Sequence, residues 1–152
     1  MSYFVTGGTG FIGRFLIGNL LKRKGSIHVL VRKASLKKFD AMVKKQGWDP
    51  KRVIAVPGDM TAANCGLSAA QVRALTAKIQ HFFHLAAIYD LTASAAEQQA
   101  ANIDGTQHAL DLAAALKVKC FHHASSIAAA GLYPGVFRED MFDEAEGLDD
   151  PY

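Results

Sequence analysis

The sequence predicts an α/β fold in which a doubly wound parallel sheet has the strand order 3-2-1-4-5. Five short apolar runs alternate with four helical patterns along the chain, which is typical of parallel strands joined by helices. Half of the 152 residues are hydrophobic, enough to fill the core of one domain. Since ligands bind such sheets at the carboxyl ends of the strands, we expect the functional residues there.

The first strand and the first helix flank a run of glycines. Residues 2–6 (SYFVT) have the composition of a strand. From Phe11 to Leu20 the apolar residues recur at helical spacing, and Gly25 is expected to stop this helix. The chain therefore begins as strand, glycine turn and helix.

Two further strands follow with a helix between them. Residues 27–31 (IHVLV) are mostly apolar, as in strands buried on both faces, and 52–56 (RVIAV) form a third strand closed by a Pro-Gly pair. Ser35 is placed to cap the intervening helix, predicted over 36–46.

The second half of the chain continues the alternation. Ser68 is expected to open a helix that runs to about residue 78. Residues 80–86 (QHFFHLA) and 119–124 (KCFHHA) are predicted as the fourth and fifth strands, and a long Ala-rich helix over 93–116 joins them.

Charge is divided unevenly along the chain, although its net value is only +3. The first 52 residues hold twelve Lys and Arg against two Asp, whereas residues 139–152 hold seven acids and no base. The basic residues fall where helix ends and loops are expected. A solvated surface explains them better than a nucleic-acid site, so we expect no nucleic-acid partner.

The sequence also argues against a membrane or secretory protein. No apolar run approaches the ~20 residues that cross a bilayer, and the first residues lack the basic region of a signal peptide. Cys65 and Cys120 lie far apart and form neither a disulfide framework nor a metal-binding Cys-x-x-Cys pair. We therefore expect a cytoplasmic protein without a membrane span or a metal site.

The glycines after the first strand match the pattern G-x-G-x-x-G through Gly8, Gly10 and Gly13, with Gly7 as an additional glycine. Between a strand and a helix this pattern is the dinucleotide fingerprint of the Rossmann fold. In that interpretation Gly8 permits a tight turn, Gly10 lets the backbone approach a pyrophosphate, and Gly13 allows close packing. No Lys-Ser or Lys-Thr pair follows, which argues against a P-loop.

The end of the second strand bears on which dinucleotide is bound. An NAD-preferring site places an acid there for the ribose 2′-hydroxyl, whereas this chain has Arg32. A guanidinium makes bidentate contacts to a 2′-phosphate, and Arg14 at the start of the first helix is a second candidate. NADP(H) is therefore favoured over NAD(H); the alternative is that both arginines point to water.

Asp59 and Met60 follow the third strand, where a carboxylate can accept a hydrogen bond from an adenine amino group. The alternative is that Asp59 forms an Asx turn before the next helix.

Residues 84–87 (HLAA) end the fourth strand, and the small side chains there allow a cofactor to lie against the backbone. The candidate contacts are Leu85, Ala86 and Ala87. We interpret His84 as a structural residue of the core. Asn102 in the long helix either bridges backbone groups near the site or is exposed to solvent.

Ser125 and Ser126 close the fifth strand, where a hydroxyl is able to polarise a substrate carbonyl. Serines also cap many strands and loops without chemistry. His122 and His123 precede them, and because adjacent strand residues point to opposite faces, joint ligation of a metal by this pair is not expected.

Taken together, TGGTGFIG (6–13), GDM (58–60), HLAA (84–87), NIDGT (102–106) and HHASSIAAAG (122–131) resemble the extended short-chain dehydrogenase/reductase superfamily. The motifs occur in the order of the family and the match covers the whole chain. The arginine after the second strand and the tail GVFREDMFDEAEGLDDPY look most like the fatty acyl-CoA reductase-like branch, which reduces acyl thioesters with NADPH.

This resemblance implies roles for individual residues. Gly7, Gly10 and Gly13 would carry the pyrophosphate together with the adjoining Phe11 and Ile12. Asp59 would contact the adenine, and Ser126 would occupy the position of the catalytic serine. Tyr152, which follows an acidic, proline-containing loop, looks like the catalytic tyrosine of the family's Tyr-x-x-x-Lys motif.

The resemblance also implies that part of the family's fold is absent. Residues 1–131 would form the Rossmann domain, and 132–152 a poorly ordered acidic loop leading to Tyr152. The sixth strand, the substrate domain and the lysine that lowers the tyrosine's pKa are not in the sequence, which would leave the fold C-terminally truncated. We therefore expect residues 1–152 alone to be inactive, and the exposed sheet edge and helix face to favour self-association.

The function expected from these features is that of an NADP-dependent oxidoreductase of lipid metabolism, acting on a small acyl thioester or aldehyde by hydride transfer. Nucleotide-sugar epimerase or dehydratase chemistry is the enzymatic alternative. A binding module that senses or scaffolds around NAD(P) without catalysis is the alternative of another class.

Overall fold

The computed structural model describes residues 1–90, 92–131 and 133–141. Its regular elements are β1 (Ser2–Thr6), α1 (Phe11–Leu20), β2 (Ile27–Val31), α2 (Leu36–Lys45), β3 (Val53–Pro57), α3 (Ala69–Leu75), β4 (Ile79–His84), α4 (Ala95–Gln98), α5 (Gly105–Ala115) and β5 (Cys120–His123). A π-helical segment, Gln99–Asp104, joins α4 to α5.

The five strands form one parallel sheet in the order β3-β2-β1-β4-β5, which confirms the predicted topology. The order reverses between β1 and β4, whose last residues, Thr6 and His84, are register partners. Because all strands run the same way, the turns after β1, β2, β3 and β4 open at one edge of the sheet. This switch point is where doubly wound sheets bind ligands.

Helices cover both faces of the sheet and bury a separate core on each. The core beneath α1 and α2 consists of Tyr3, Val5, Ile17, Leu20, Ile27, Val29, Val31, Phe39, Val43 and Val53. The opposite core, beneath α5, consists of Phe4, Val56, Cys65, Leu67, Ile79, Phe82, Ala109, Leu112, Ala113 and Leu116. Alternation along β1 sends successive side chains into different cores, as expected for a sheet buried on both faces.

Two of the predicted helix starts have different outcomes. Ser68 does open α3, through a capping box in which its hydroxyl accepts from the Gln71 amide while the Gln71 side chain accepts from the Ser68 amide. Ser35 makes no side-chain cap, because it ends a 3₁₀ turn over Lys33–Ser35 and already has helical dihedral angles. The predicted cap at Ser35 is therefore wrong.

The fourth strand and the long helix also differ from the prediction. β4 ends at His84 rather than at residue 86, because the Leu85 and Ala86 amides donate to the Thr6 hydroxyl instead of extending the ladder. The helix predicted over 93–116 is present, but its residues Gln99–Asp104 form the π segment. In the part of the chain that the structure describes, no helix combines the length and apolar character required to span a membrane.

Candidate functional site

A cleft of about 390 Å³ lies at the switch point of the sheet. Eight of the residues predicted to bind a cofactor line it: Gly7, Gly10, Arg32, Asp59, Met60, Leu85, Ala86 and Ala87. The turns after β1, β2, β3 and β4 all contribute to its walls, although they are distant in sequence.

The glycine turn after β1 leaves no room for side chains. Gly7 has φ +69°, and a Cβ there would lie 2.7 Å from the Ala86 nitrogen. A Cβ on Gly8 would lie 2.6 Å from Cγ1 of Val29, and one on Gly13 would collide with the Gly7 carbonyl oxygen. Gly7 therefore makes the tight turn, whereas the literal motif had assigned it to Gly8. Gly8 instead allows close packing against β2.

The N-terminus of α1 points its first amides toward the glycine turn without a competing side chain. Gly10 is the N-cap residue and offers no side-chain acceptor, and the first turn contains no acid. The first amides of a helix lack partners within it, so those of Phe11 and Ile12 are suited to an anion. Their side chains do not line the cleft and are 71% and 64% exposed.

The two candidate arginines have different positions. Arg32 is exposed, lines the cleft directly after β2 and has Ser35 beside it in the lining. Within residues 1–90, 92–131 and 133–141, no carboxylate lies within ion-pair distance of its guanidinium. Arg14 is also exposed but outside the cleft lining, and its Nε donates to the Gly10 carbonyl at 3.3 Å. Arg32 is therefore the cation at the cleft.

Asp59 forms the Asx turn that was the alternative interpretation, and it lines the cleft as well. Its Oδ1 accepts from the amide and the hydroxyl of Thr61 at 3.0 and 2.9 Å. Its own amide donates to the Cys65 carbonyl at 2.8 Å.

Burial, with Asp59 and Asp111 nearby, raises the pKa of the Cys65 thiol to about 12, so this thiol is neutral and inert.

A hydroxyl at the end of β1 holds the turn after β4. Oγ1 of Thr6 accepts from the amides of Leu85 and Ala86, both at 3.2 Å. Since it accepts twice, its own proton goes to Nδ1 of His84, 2.8 Å away. The Thr6 side chain thus ties the cleft wall at Leu85 and Ala86 to the central strand.

The same chain of hydrogen bonds continues into α5 through His84. With Nδ1 as acceptor, His84 carries its proton on Nε2, which donates to Oγ1 of Thr106 at 3.1 Å; Thr106 in turn donates to the Asn102 carbonyl at 2.6 Å. Burial, reinforced by His123, lowers the pKa of His84 to about 4. His84 is therefore a neutral structural residue, as the sequence indicated.

Asn102, on the π-helical segment, holds the next part of the turn. Its Oδ1 accepts from the Ile88 amide at 2.8 Å and its Nδ2 donates to the Ile88 carbonyl at 3.0 Å. Of the two alternatives that the sequence left open for Asn102, the structure has the bridging of backbone groups near the site. Ile88 and the π-segment residue Ala101 both line the cleft.

Neither of the two residues predicted to carry the chemistry is among the described residues that line the cleft. Ser126 is exposed after β5 and does not line the cleft, and Tyr152 lies outside the described residues. Sequence reasoning missed Thr6, Thr9 and Ser35. Thr6 had a usable signal, because the last residue of a strand at the switch point faces the neighbouring turn.

Comparison with known proteins agrees with this geometry. The model of an NAD-binding family described as male sterility protein matches residues 5–150. A linear gramicidin synthase of Brevibacillus parabrevis is 36% identical over 132 residues, which cover 81% of this chain and 3% of that protein. A putative fatty acyl-CoA reductase of Drosophila melanogaster is 30% identical over 129 residues, covering 75% of this chain and 23% of that protein.

Among solved structures, the terminal R domain from the myxalamid PKS-NRPS biosynthetic pathway superposes with a TM-score of 0.84 at 28% sequence identity. The match covers 99% of this chain and 42% of that domain. This chain therefore spans less than half the length of each of these three proteins.

Proposed function

This chain belongs to the male sterility protein family within the extended short-chain dehydrogenase/reductases, and from that membership we propose that it is the dinucleotide-binding part of an NADP(H)-dependent reductase. Arg32 is the observation that carries the choice of dinucleotide. It lines the cleft at the end of β2, where an NAD-preferring site has an acid, and no described carboxylate pairs with it.

The proposed cofactor position follows the cleft from β3 to β1. Asp59 and Met60 would hold the adenine, and Arg32 and Ser35, which line the same cleft, would hold the 2′-phosphate. Gly7 and the first amides of α1 would hold the pyrophosphate, because both the free N–H groups and the helix dipole there favour an anion. The turn formed by Leu85, Ala86 and Ala87 walls the other side.

The proposed substrate is an acyl thioester or an aldehyde, which is supported by the Drosophila relative named as a fatty acyl-CoA reductase. The reduced dinucleotide would supply the hydride. Ser126 and Tyr152 are the groups proposed to polarise the substrate carbonyl, by donating hydrogen bonds to its oxygen. Because Ser126 does not line the cleft, we propose that residues 1–152 alone bind the dinucleotide without turning it over.

Titration of NADPH and NADH against the wild type and Arg32→Ala tests the choice of dinucleotide. Loss of hydrogen bonds to a charged group costs about 1.5–3 kcal/mol, so Arg32→Ala should weaken NADPH roughly 10- to 100-fold and leave NADH nearly unchanged. Lys33→Ala is the matched control, since it removes an equal charge from the next residue, which is exposed and outside the cleft lining.

Two results would overturn this proposal. If Arg32→Ala weakened the binding of NADPH and NADH equally, Arg32 would not contact the 2′-phosphate. If Lys33→Ala lost as much NADPH affinity as Arg32→Ala, the loss would come from the removal of a positive surface charge and not from a specific contact of Arg32.

A further inference from the structure

The neighbouring strands β4 and β5 bring together two imidazoles and a thiol that have no part in the proposed cofactor site. These groups are His81, Cys120 and His122, all half-buried. One potential ligand atom from each lies within 4.8 Å of the others. We propose that these three side chains bind a transition-metal cation of the Zn²⁺ class.

Strand geometry explains why residues so far apart in sequence meet. Cys120 and His122 are two residues apart on β5, so both point to the face of the sheet that carries α1. His81 on β4 is the register partner of Cys120, and Phe83 is the partner of His122. His123 points to the other face, where its ring stacks on His84 at 5.4 Å.

The distances are close to those of a tetrahedral site. Nδ1 of His81 lies 3.0 Å from Nε2 of His122, while Sγ of Cys120 lies 4.0 Å from Nδ1, the other nitrogen of that imidazole. A single cation binds only one of these two nitrogens, and the three ligand atoms that it would use lie within 4.8 Å of one another. Zn–N bonds of about 2.0 Å and Zn–S bonds of about 2.3 Å require ligand separations of roughly 3.3–3.6 Å. Ligand shifts of roughly 1–1.5 Å, within the reach of side-chain rotation, would satisfy the coordination.

Neighbouring rings already restrain the orientation of the two imidazoles. The ring of Phe83 lies 4.3 Å from that of His122 at an interplanar angle of 7°, and Tyr3 stacks on His81 at 6.0 Å. Such packing reduces the conformational entropy that the ligands would lose on binding.

The donor set selects the kind of cation. Imidazole and thiolate suit Zn²⁺, whereas Mg²⁺ and Ca²⁺ require oxygen ligands. Three protein ligands leave one tetrahedral position open. His81 and His122 line a groove together with Lys22 and Arg23, whose positive charges favour an anionic fourth ligand.

Titration of residues 1–152 with Co²⁺ tests the site, because a thiolate bound to Co²⁺ produces an intense near-ultraviolet charge-transfer band. We expect one equivalent to saturate the band and Zn²⁺ to displace it. Cys120→Ser should abolish the band, and His81→Ala and His122→Ala should each weaken binding about tenfold or more. His123→Ala, on the same strand but the opposite face, is the matched control and should bind as the wild type does.

A measurement on the wild type makes the test independent of whether the variants fold. Zn²⁺ should slow alkylation of Cys120 by iodoacetamide, followed by mass spectrometry, while Mg²⁺ should not. Absence of protection would show that the two imidazoles merely share a hydrogen bond and would overturn the proposal. A charge-transfer band that survives Cys120→Ser, or equal loss in His123→Ala, would overturn it as well.

Discussion

The imidazole Nδ1 of His84 lies 2.8 Å from the hydroxyl oxygen of Thr6, and the contact joins the last residues of the two central strands. Both side chains are almost completely buried. Because the Thr6 oxygen also accepts from the two amides that follow His84, one hydroxyl sets the path of the turn that walls the cleft. The cleft therefore depends on a hydrogen-bond network beneath it as well as on its lining.

Thr6→Val tests this dependence, since it keeps the shape of the side chain and removes the hydroxyl. Two amides and the imidazole then lose their partner, and we expect the free energy of unfolding to fall by about 2 kcal/mol or more. Urea denaturation measures the change. Thr6→Ser keeps the hydroxyl and should recover most of the loss. A Thr6→Val protein as stable as the wild type would contradict the role of the network.

Acid should destabilise the fold through His84. Its pKa is about 4 in the folded chain because of burial, against about 6.5 when unfolded, so below pH 6.5 the unfolded state takes up a proton that the folded state does not. Neutral His84 therefore contributes about 3 kcal/mol to the free energy of unfolding. This contribution is complete above pH 6.5 and is lost as the pH falls toward 4.

Urea midpoints at pH 7.5 and pH 4.5 for the wild type and His84→Gln measure this contribution. His28 also has a pKa lowered by burial and, secondarily, by Lys78, so the wild type has other acid-sensitive groups. The informative quantity is therefore the difference between the two proteins, which should shrink at pH 4.5. An unchanged difference would contradict the assignment to His84.

The strand order and the cofactor cleft were predictable from the sequence because they depend on local patterns. Alternating strand and helix signals define the topology once crossovers are right-handed, and the topology alone brings the turns after β1, β2, β3 and β4 together. Thus Arg32 and Asp59 were found in the cleft although 27 residues separate them.

Features that depend on register or on exact backbone conformation were not predictable in this way. The contact between His81 and Cys120 requires the pairing of β4 with β5, and a bulge beside β1 shifts the register of β4. The motif assigned the tight turn to Gly8, and only the positive φ of Gly7 shows that the preceding glycine makes it. Ser35 failed as a cap because a short 3₁₀ turn precedes it.

Two glycines of α1 provide a matched pair for testing how tightly the helix packs on the glycine turn. A Cβ on Gly13 would collide with the Gly7 carbonyl oxygen, whereas one on Gly18 meets nothing within 4 Å. Gly18→Ala should therefore raise the free energy of unfolding by about 0.5–1 kcal/mol through helix propensity. Gly13→Ala should lower it by about 1–3 kcal/mol and weaken NADPH binding. Similar effects of the two substitutions on stability would rule out the close approach of α1.

Substitution of Asn102 tests the position of the cleft wall with little effect on the stability of the core. Its amide both donates to and accepts from the Ile88 backbone, and the residue is only half-buried, so replacing it should cost little folding free energy. Asn102→Leu frees the turn that walls the cleft. We expect NADPH affinity to fall about 3- to 10-fold, with faster amide exchange at Ile88, because binding must then order the turn. Asn102→Asp keeps the acceptor for the Ile88 amide, and its NADPH affinity should lie between those of the wild type and Asn102→Leu.

The control is Gln107→Ala, which removes an exposed amide on α5 that pairs with Asp111. If Asn102→Leu binds NADPH as tightly as Gln107→Ala does, the turn is held in place by the Thr6 hydroxyl alone.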